Sequence, residues 1–176
     1  MKTSIALVGF MGTGKTAVGK LLAKKLGKEF IELDALIEEK AGKSIPEIFR
    51  QDGEIAFRQL EIEVTESIAG RKNTVIACGG GVVLNTINID RLRRECVIIH
   101  LTAAPSVILK RTAADRDSRP LLAAGDRSQQ IERLLKYRQP FYERAADITV
   151  NTSRLKVEEV IGMIIDKLRS YENYRS

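Results

Sequence analysis

Gly9-Phe10-Met11-Gly12-Thr13-Gly14-Lys15-Thr16 has the spacing G-x-x-x-x-G-K-[ST], that of a phosphate-binding loop. Its flanks are what that loop needs. Ser4 to Val8 in front is a short apolar run suited to a buried strand, and Ala17 to Leu26 behind carries Val18, Leu21, Leu22 and Leu26 at helical spacing. Strand, glycine loop and helix in that order aim backbone N–H groups and a positive helix end at phosphate oxygens. Glycines at 9, 12 and 14 permit backbone angles and an approach that a Cβ blocks. The candidate nucleotide-binding residues are therefore Gly12, Thr13, Gly14, Lys15, Thr16 and Ala17. Lys15 is expected at the β- and γ-phosphates and the Thr16 hydroxyl on Mg²⁺.

Working outward, 176 residues with 44% hydrophobic content suit a single domain with a substantial core. No apolar run approaches membrane-span length, and Lys2 leads straight into the first strand, so a cytoplasmic protein without membrane association is expected. Cys78 and Cys96 lie in apolar, strand-like runs without metal spacing and read as reduced core residues. The net charge of +6 comes from scattered lysines and arginines with acids between them. Without a long basic run or interleaved aromatics, that pattern argues against nucleic acid and for small anionic ligands.

Further strands are predicted at Phe30–Leu33, Thr74–Cys78, Cys96–Leu101 and Asp147–Asn151. Between the second and third, residues 34–69 read as helical throughout, with Ser44 and Glu47 spaced as a capping box and Pro46 in the first turn. That stretch is an insertion over the site. A helix from Ala104 to Arg111 leads into a polar segment, 112–127, with the character of a mobile loop. A helix from about Ser128 to Ala145, bent or interrupted near Pro140, and a last one over Val157–Leu168 follow. Five strands alternating with helices argue an α/β fold with a parallel sheet, whose ligands sit at the carboxyl ends of strands.

That rule gathers the candidates for chemistry on one rim. If the second strand continues through them, Glu32 and Asp34 face the same side. There they could hold a metal's water shell, and Asp34 could take a proton from an acceptor hydroxyl; a helix cap at Asp34 is compatible with both. Gly79-Gly80-Gly81 offers side-chain-free N–H groups to a ligand, or a plain turn into a helix. Arg58 and Arg138 suit a carboxylate, or surface charge. Arg111, Arg116 and Arg119 could each supply an arginine finger, and spacing does not choose among them. His100, in an apolar strand, reads as a core or rim histidine, and Phe141, Tyr142 and Arg144 as helix packing and surface.

These pieces together resemble the shikimate kinases over nearly the whole chain. The resemblance rests on the loop, Asp34 with Ile37-Glu38, Ser44-Ile45 to Phe49, Gly53-Glu54 with Phe57-Arg58, and Gly79 to Gly81. Arg119-Pro120-Leu121-Leu122 and Tyr137-Arg138 with Pro140 and Tyr142 complete it. It implies a three-layer P-loop kinase fold like the nucleoside monophosphate kinases, with strand order 2-3-1-4-5. Residues 1–33, 70–111 and 128–170 would be the core, 34–69 the substrate lobe and 112–127 the lid. The implied reaction is ATP plus shikimate giving shikimate 3-phosphate and ADP, in aromatic amino-acid and chorismate biosynthesis. Lys15, Asp34 and Arg119 would be catalytic, with Asp34 on the attacked hydroxyl and Arg119 closing from the lid onto both ligands. Arg58 and Arg138 would clamp the carboxylate, Gly79, Gly80 and Gly81 the ring, and Phe49 and Phe57 would line the pocket. Arg111 would pack on the adenine, with Arg154 nearby, and Thr16, Glu32 and Asp34 would attend Mg²⁺; a monomer is expected. The chain departs from the family at Glu32, where Asp is common, which suggests a water-mediated metal contact. It departs again at Asn151-Thr152-Ser153-Arg154, which Val157 follows at a usual proline position. A gluconate kinase-like enzyme is the alternative, and it would not need Phe57-Arg58, the triple glycine or Arg138.

Overall fold

The structure is a computed structural model that describes residues 1–113, 126–172 and 174–175. Strand β1 (Ser4–Val8) runs into the glycine loop and α1 (Lys15–Leu26), followed by β2 (Glu29–Glu32). Helices α2 (Leu33–Ala41), α3 (Ile45–Gln51) and α4 (Gly53–Ile68) lead to β3 (Thr74–Ala77). A 3-10 turn at Val82–Leu84 precedes α5 (Thr86–Arg93), β4 (Cys96–Thr102) and α6 (Pro105–Arg111). Helix α7 (Arg127–Ala145), β5 (Ile148–Asn151) and α8 (Val157–Arg169) complete the described elements.

The five strands form one sheet in the order β2-β3-β1-β4-β5, every pair parallel. Strand β1 is wholly buried because it needs an apolar residue on each face. Ile5 and Leu7 pack into one cluster with Val18 and Leu22 of α1 and Ile161 and Ile164 of α8. Ala6 and Val8 join the opposite cluster, with Ile37 of α2, Ile48 of α3, Ile89 of α5 and Ile131 of α7. Helices thus cover both faces, giving three layers, and each fully buried aliphatic side chain contributes about 1.5–3 kcal/mol.

The register decides where the site lies. Leu7 pairs with Ala77, Glu32 with Ala77, and Val8 with His100, so β1, β2, β3 and β4 end on a common rim. The order reverses at β1, which places the phosphate loop at the switch point where parallel sheets open a crevice.

Four local expectations are corrected. Strand β2 stops at Glu32 and Leu33 already starts α2, so Glu32 and Asp34 do not share a strand face. Leu33 is fully buried and the chain turns there to bury it, which lifts Asp34 into the first turn of the helix. Helix α7 is not interrupted at Pro140. The lost hydrogen bond costs about 3 kcal/mol, but Ile131 before the proline and Tyr142 and Ala145 after it are all buried and hold both halves to the core. It also starts at Arg127, against an expected start at about Ser128. Finally, α5 has no counterpart in the expectation. Its eight residues bury only Asn88, Ile89 and Leu92, too few for a helical period to stand out, and its start is set by Asn85, whose side chain accepts from the Ile87 N–H.

Candidate active site

The phosphate loop closes over the end of β1. Gly9 (φ 150°), Gly12 (φ 77°) and Gly14 (φ 98°) all have positive φ. A Cβ on Gly9 would lie 2.3 Å from the Leu101 carbonyl oxygen, so no other residue fits. The Thr13 hydroxyl donates to the Phe10 carbonyl (2.8 Å), tying the loop across itself. The Lys15 ammonium donates to the carbonyls of Gly9 (2.8 Å) and Phe10 (3.0 Å), over the hollow that the loop encircles.

Glu32 and Asp34 reach this hollow from the neighbouring strand end. The Thr16 hydroxyl donates to Glu32 Oε1 at 2.5 Å. Both acids line a cavity of about 410 Å³ together with Gly12, Lys15, Thr16 and Gly80. The expected neighbourhood is therefore present, although a helix turn rather than strand alternation brings Asp34 into it. Hydroxyl and carboxylate oxygens are the donors that Mg²⁺ accepts. Among the described residues no cluster of three or more His, Cys, Asp or Glu side chains could hold a metal by itself.

The triple-glycine turn contributes Gly80 to the wall of this cavity. A Cβ on Gly79 would meet Asp34 Oδ1 at 2.8 Å and Glu61 Oε1 at 3.1 Å, and one on Gly81 would meet the Arg58 guanidinium at 2.4 Å. The absent side chains are what let two carboxylates and an arginine crowd this turn. Arg58 donates to Glu61 (3.0 Å) and Glu54 (3.2 Å), each on the same face of α4, and its guanidinium lies 5.1 Å from the Phe57 ring. Phe57 in turn packs on Phe49, centroids 4.8 Å apart. Arg138 comes from α7. It is 3% exposed, its guanidinium sits 5.7 Å from the Phe10 ring, and its Nε has no hydrogen-bond partner among the described residues. A buried guanidinium is costly unless anions compensate it. Burial raises the Glu61 carboxyl pKa, with Asp34 adding to the rise and Arg58 and Arg138 opposing it.

On the far side of the loop, Arg111 donates to the Gly12 carbonyl (3.2 Å), the Thr152 hydroxyl (3.0 Å) and the Thr152 carbonyl (2.8 Å). The Thr152 hydroxyl lies 2.9 Å from the Thr13 carbonyl, so the loop after β5 is stitched to the phosphate loop. Arg154 is exposed on that same loop. Arg119, like Arg116, lies outside the described residues.

Sequence reasoning gave no site role to four contributors, Glu54, Glu61, Tyr142 and Thr152, although Glu54, Tyr142 and Thr152 lie in stretches compared with the family. Glu61 was legible as the i,i+3 partner of Arg58. Tyr142, read as packing, is buried one turn beyond Arg138 and donates to the Gly80 carbonyl. His100 stacks on it, centroids 4.7 Å apart, and burial lowers the His100 pKa to about 4. That histidine is a neutral core residue.

Comparisons with known proteins agree with this geometry. The family model described as shikimate kinase matches residues 11–169. A shikimate kinase of Caldanaerobacter subterraneus is 49% identical over 92% of this chain and 94% of its own length. One of Dehalococcoides mccartyi is 44% identical over 98% and 97% respectively. Among solved structures, shikimate kinase from Acinetobacter baumannii in complex with shikimate superposes with a TM-score of 0.93 at 36% identity. It covers 98% of this chain and 96% of that one.

Proposed function

This chain belongs to the shikimate kinase family, and we propose that it transfers the γ-phosphoryl group of ATP to the 3-hydroxyl of shikimate. The products are ADP and shikimate 3-phosphate, a step of chorismate and aromatic amino-acid biosynthesis. One observation carries the choice of acceptor: Arg58 and Arg138 converge on a side-chain-free glycine turn beside Asp34. Two arginines fit a carboxylate, bare N–H groups fit ring hydroxyls, and Asp34 fits the hydroxyl that attacks.

In this reading Lys15 and the loop N–H groups hold the β- and γ-phosphates in line with the acceptor. Asp34 orients the attacking hydroxyl and takes its proton. Phe49 and Phe57 pack against the ring and keep water off it, since water would compete for the phosphoryl group. Thr16 would hold Mg²⁺ directly, with Glu32 and Asp34 acting through its waters, and the ion would spread the charge that develops on the phosphoryl oxygens. Arg111 and Arg154 are assigned to the nucleotide's base, and Arg119 to closure over both ligands. Residues 34–69 serve as the acceptor lobe and 112–127 as the lid. The protein acts as a monomer in the cytoplasm, a compartment that suits two buried, unbridged cysteines.

A coupled ADP-release assay with shikimate, quinate and gluconate tests the reading. Turnover is expected with shikimate at saturating ATP and Mg²⁺, and far less with the other two. Folded protein that releases no ADP in response to shikimate would overturn it.

A further inference from the structure

The geometry points to Tyr142 as a positioning residue for acceptor binding: its hydroxyl fixes the Gly80–Gly81 peptide so that the Gly81 N–H faces the acceptor. This rests on the function proposed above and assigns a role to a side chain outside the clamp and the loop.

The argument starts from the peptide plane. The Gly80 carbonyl and the Gly81 N–H belong to one planar trans unit and point in opposite directions. Holding the oxygen therefore aims the N–H. Between two glycines such a plane is otherwise easy to rotate, because neither residue restricts its backbone angles. Tyr142 donates to that oxygen. Among the described residues the N–H groups of Gly80 and Gly81 donate to no other protein group, so they stay available to a ligand. Gly81 also sits against the Arg58 guanidinium, and Gly80 lies near Arg138, so the peptide that carries the donor belongs to a turn next to both arginines.

The tyrosine is itself tightly held. It is 1% exposed, its ring stacks on His100, and His100 pairs with Val8 at the base of the phosphate loop. Arg138 and Tyr142 are one helical turn apart on α7. One helix thus delivers both the carboxylate clamp and the lock on the hydroxyl-binding turn, and it does so from a support shared with β1.

Tyr142→Phe removes the hydroxyl and keeps the ring and its stack. The KM for shikimate is expected to rise about three- to tenfold, the span of one net hydrogen bond, with kcat and the KM for ATP within about twofold of wild type. A thermal-unfolding midpoint measured with and without shikimate separates positioning from support. A merely structural tyrosine would lower the midpoint and leave the shikimate KM unchanged, or shift both KM values together; either result overturns the assignment. Wild-type protein that fails to turn over shikimate would instead overturn the function itself.

Discussion

Arg58 shows how much a single side chain is asked to do. Its two glutamate partners differ in kind: Glu54 is half exposed and contributes little, whereas Glu61 is buried. Removing Arg58 would strip Glu61 of its main compensating charge, so an alanine there confounds binding with stability. His100 is a cleaner residue to test because its chemistry lies outside catalysis. Burial lowers its folded pKa to about 4 against an unfolded value near 6.5. Its stabilising effect is thus complete above pH ~6.5 and is lost as pH falls toward ~4, by up to about 3 kcal/mol. Glu61, with a raised folded pKa, acts in the opposite sense and gains relative stability as pH falls through that value. The difference in unfolding free energy between wild type and His100→Phe is therefore expected to shrink in favour of the variant from pH 7 to 4. A difference independent of pH would refute the assignment of a neutral, buried histidine.

Elements were legible to different degrees. The capping box at Ser44 and Glu47 is present, with the Glu47 carboxylate accepting from the Ser44 N–H (2.9 Å) and hydroxyl (2.7 Å), because local spacing alone specifies it. Helix α5 was not legible, since its short apolar set gains meaning only from the core it meets. The same holds for the route by which Asp34 reaches the cavity, where burial of Leu33 overrode strand alternation. The loop after β5 is a third case: Thr152 stands in the Asn151-Thr152-Ser153-Arg154 stretch compared with the family, but spacing did not show that its hydroxyl reaches the Thr13 carbonyl across 139 residues. Thr152→Val is expected to raise the KM for ATP about two- to tenfold by freeing this loop from the phosphate loop, and to leave the KM for shikimate near wild type. Equal increases in both would show that the stitch supports the fold generally rather than the nucleotide side.

At the scale of the whole molecule, the parallel sheet and the meeting of the loop, Asp34 and the triple glycine on one rim were legible from the residues themselves, through strand–helix alternation and the placing of ligands at the carboxyl ends of strands. The strand order 2-3-1-4-5 and the joining of Arg58 and Arg138 to that rim were expected only from the resemblance to the shikimate kinases, and the sheet has that order. What sequence did not supply is the supporting role of Tyr142, read only as packing, because it acts through a tertiary neighbour, the Gly80 carbonyl, rather than through spacing. Glu61 was within reach as the i,i+3 partner of Arg58, and His100 was read as the core or rim histidine that it is. In the proposed function, phosphate binding belongs to the loop, and acceptor choice belongs to the arginines and the glycine turn facing it. The most direct test compares kcat/KM for shikimate with that for its methyl ester at saturating ATP. The ester keeps every hydroxyl and loses the charge that Arg58 and Arg138 would clamp. A loss of about tenfold or more is expected, since hydrogen bonds to charged groups contribute roughly 1.5–3 kcal/mol. Equal efficiency for acid and ester would contradict the account.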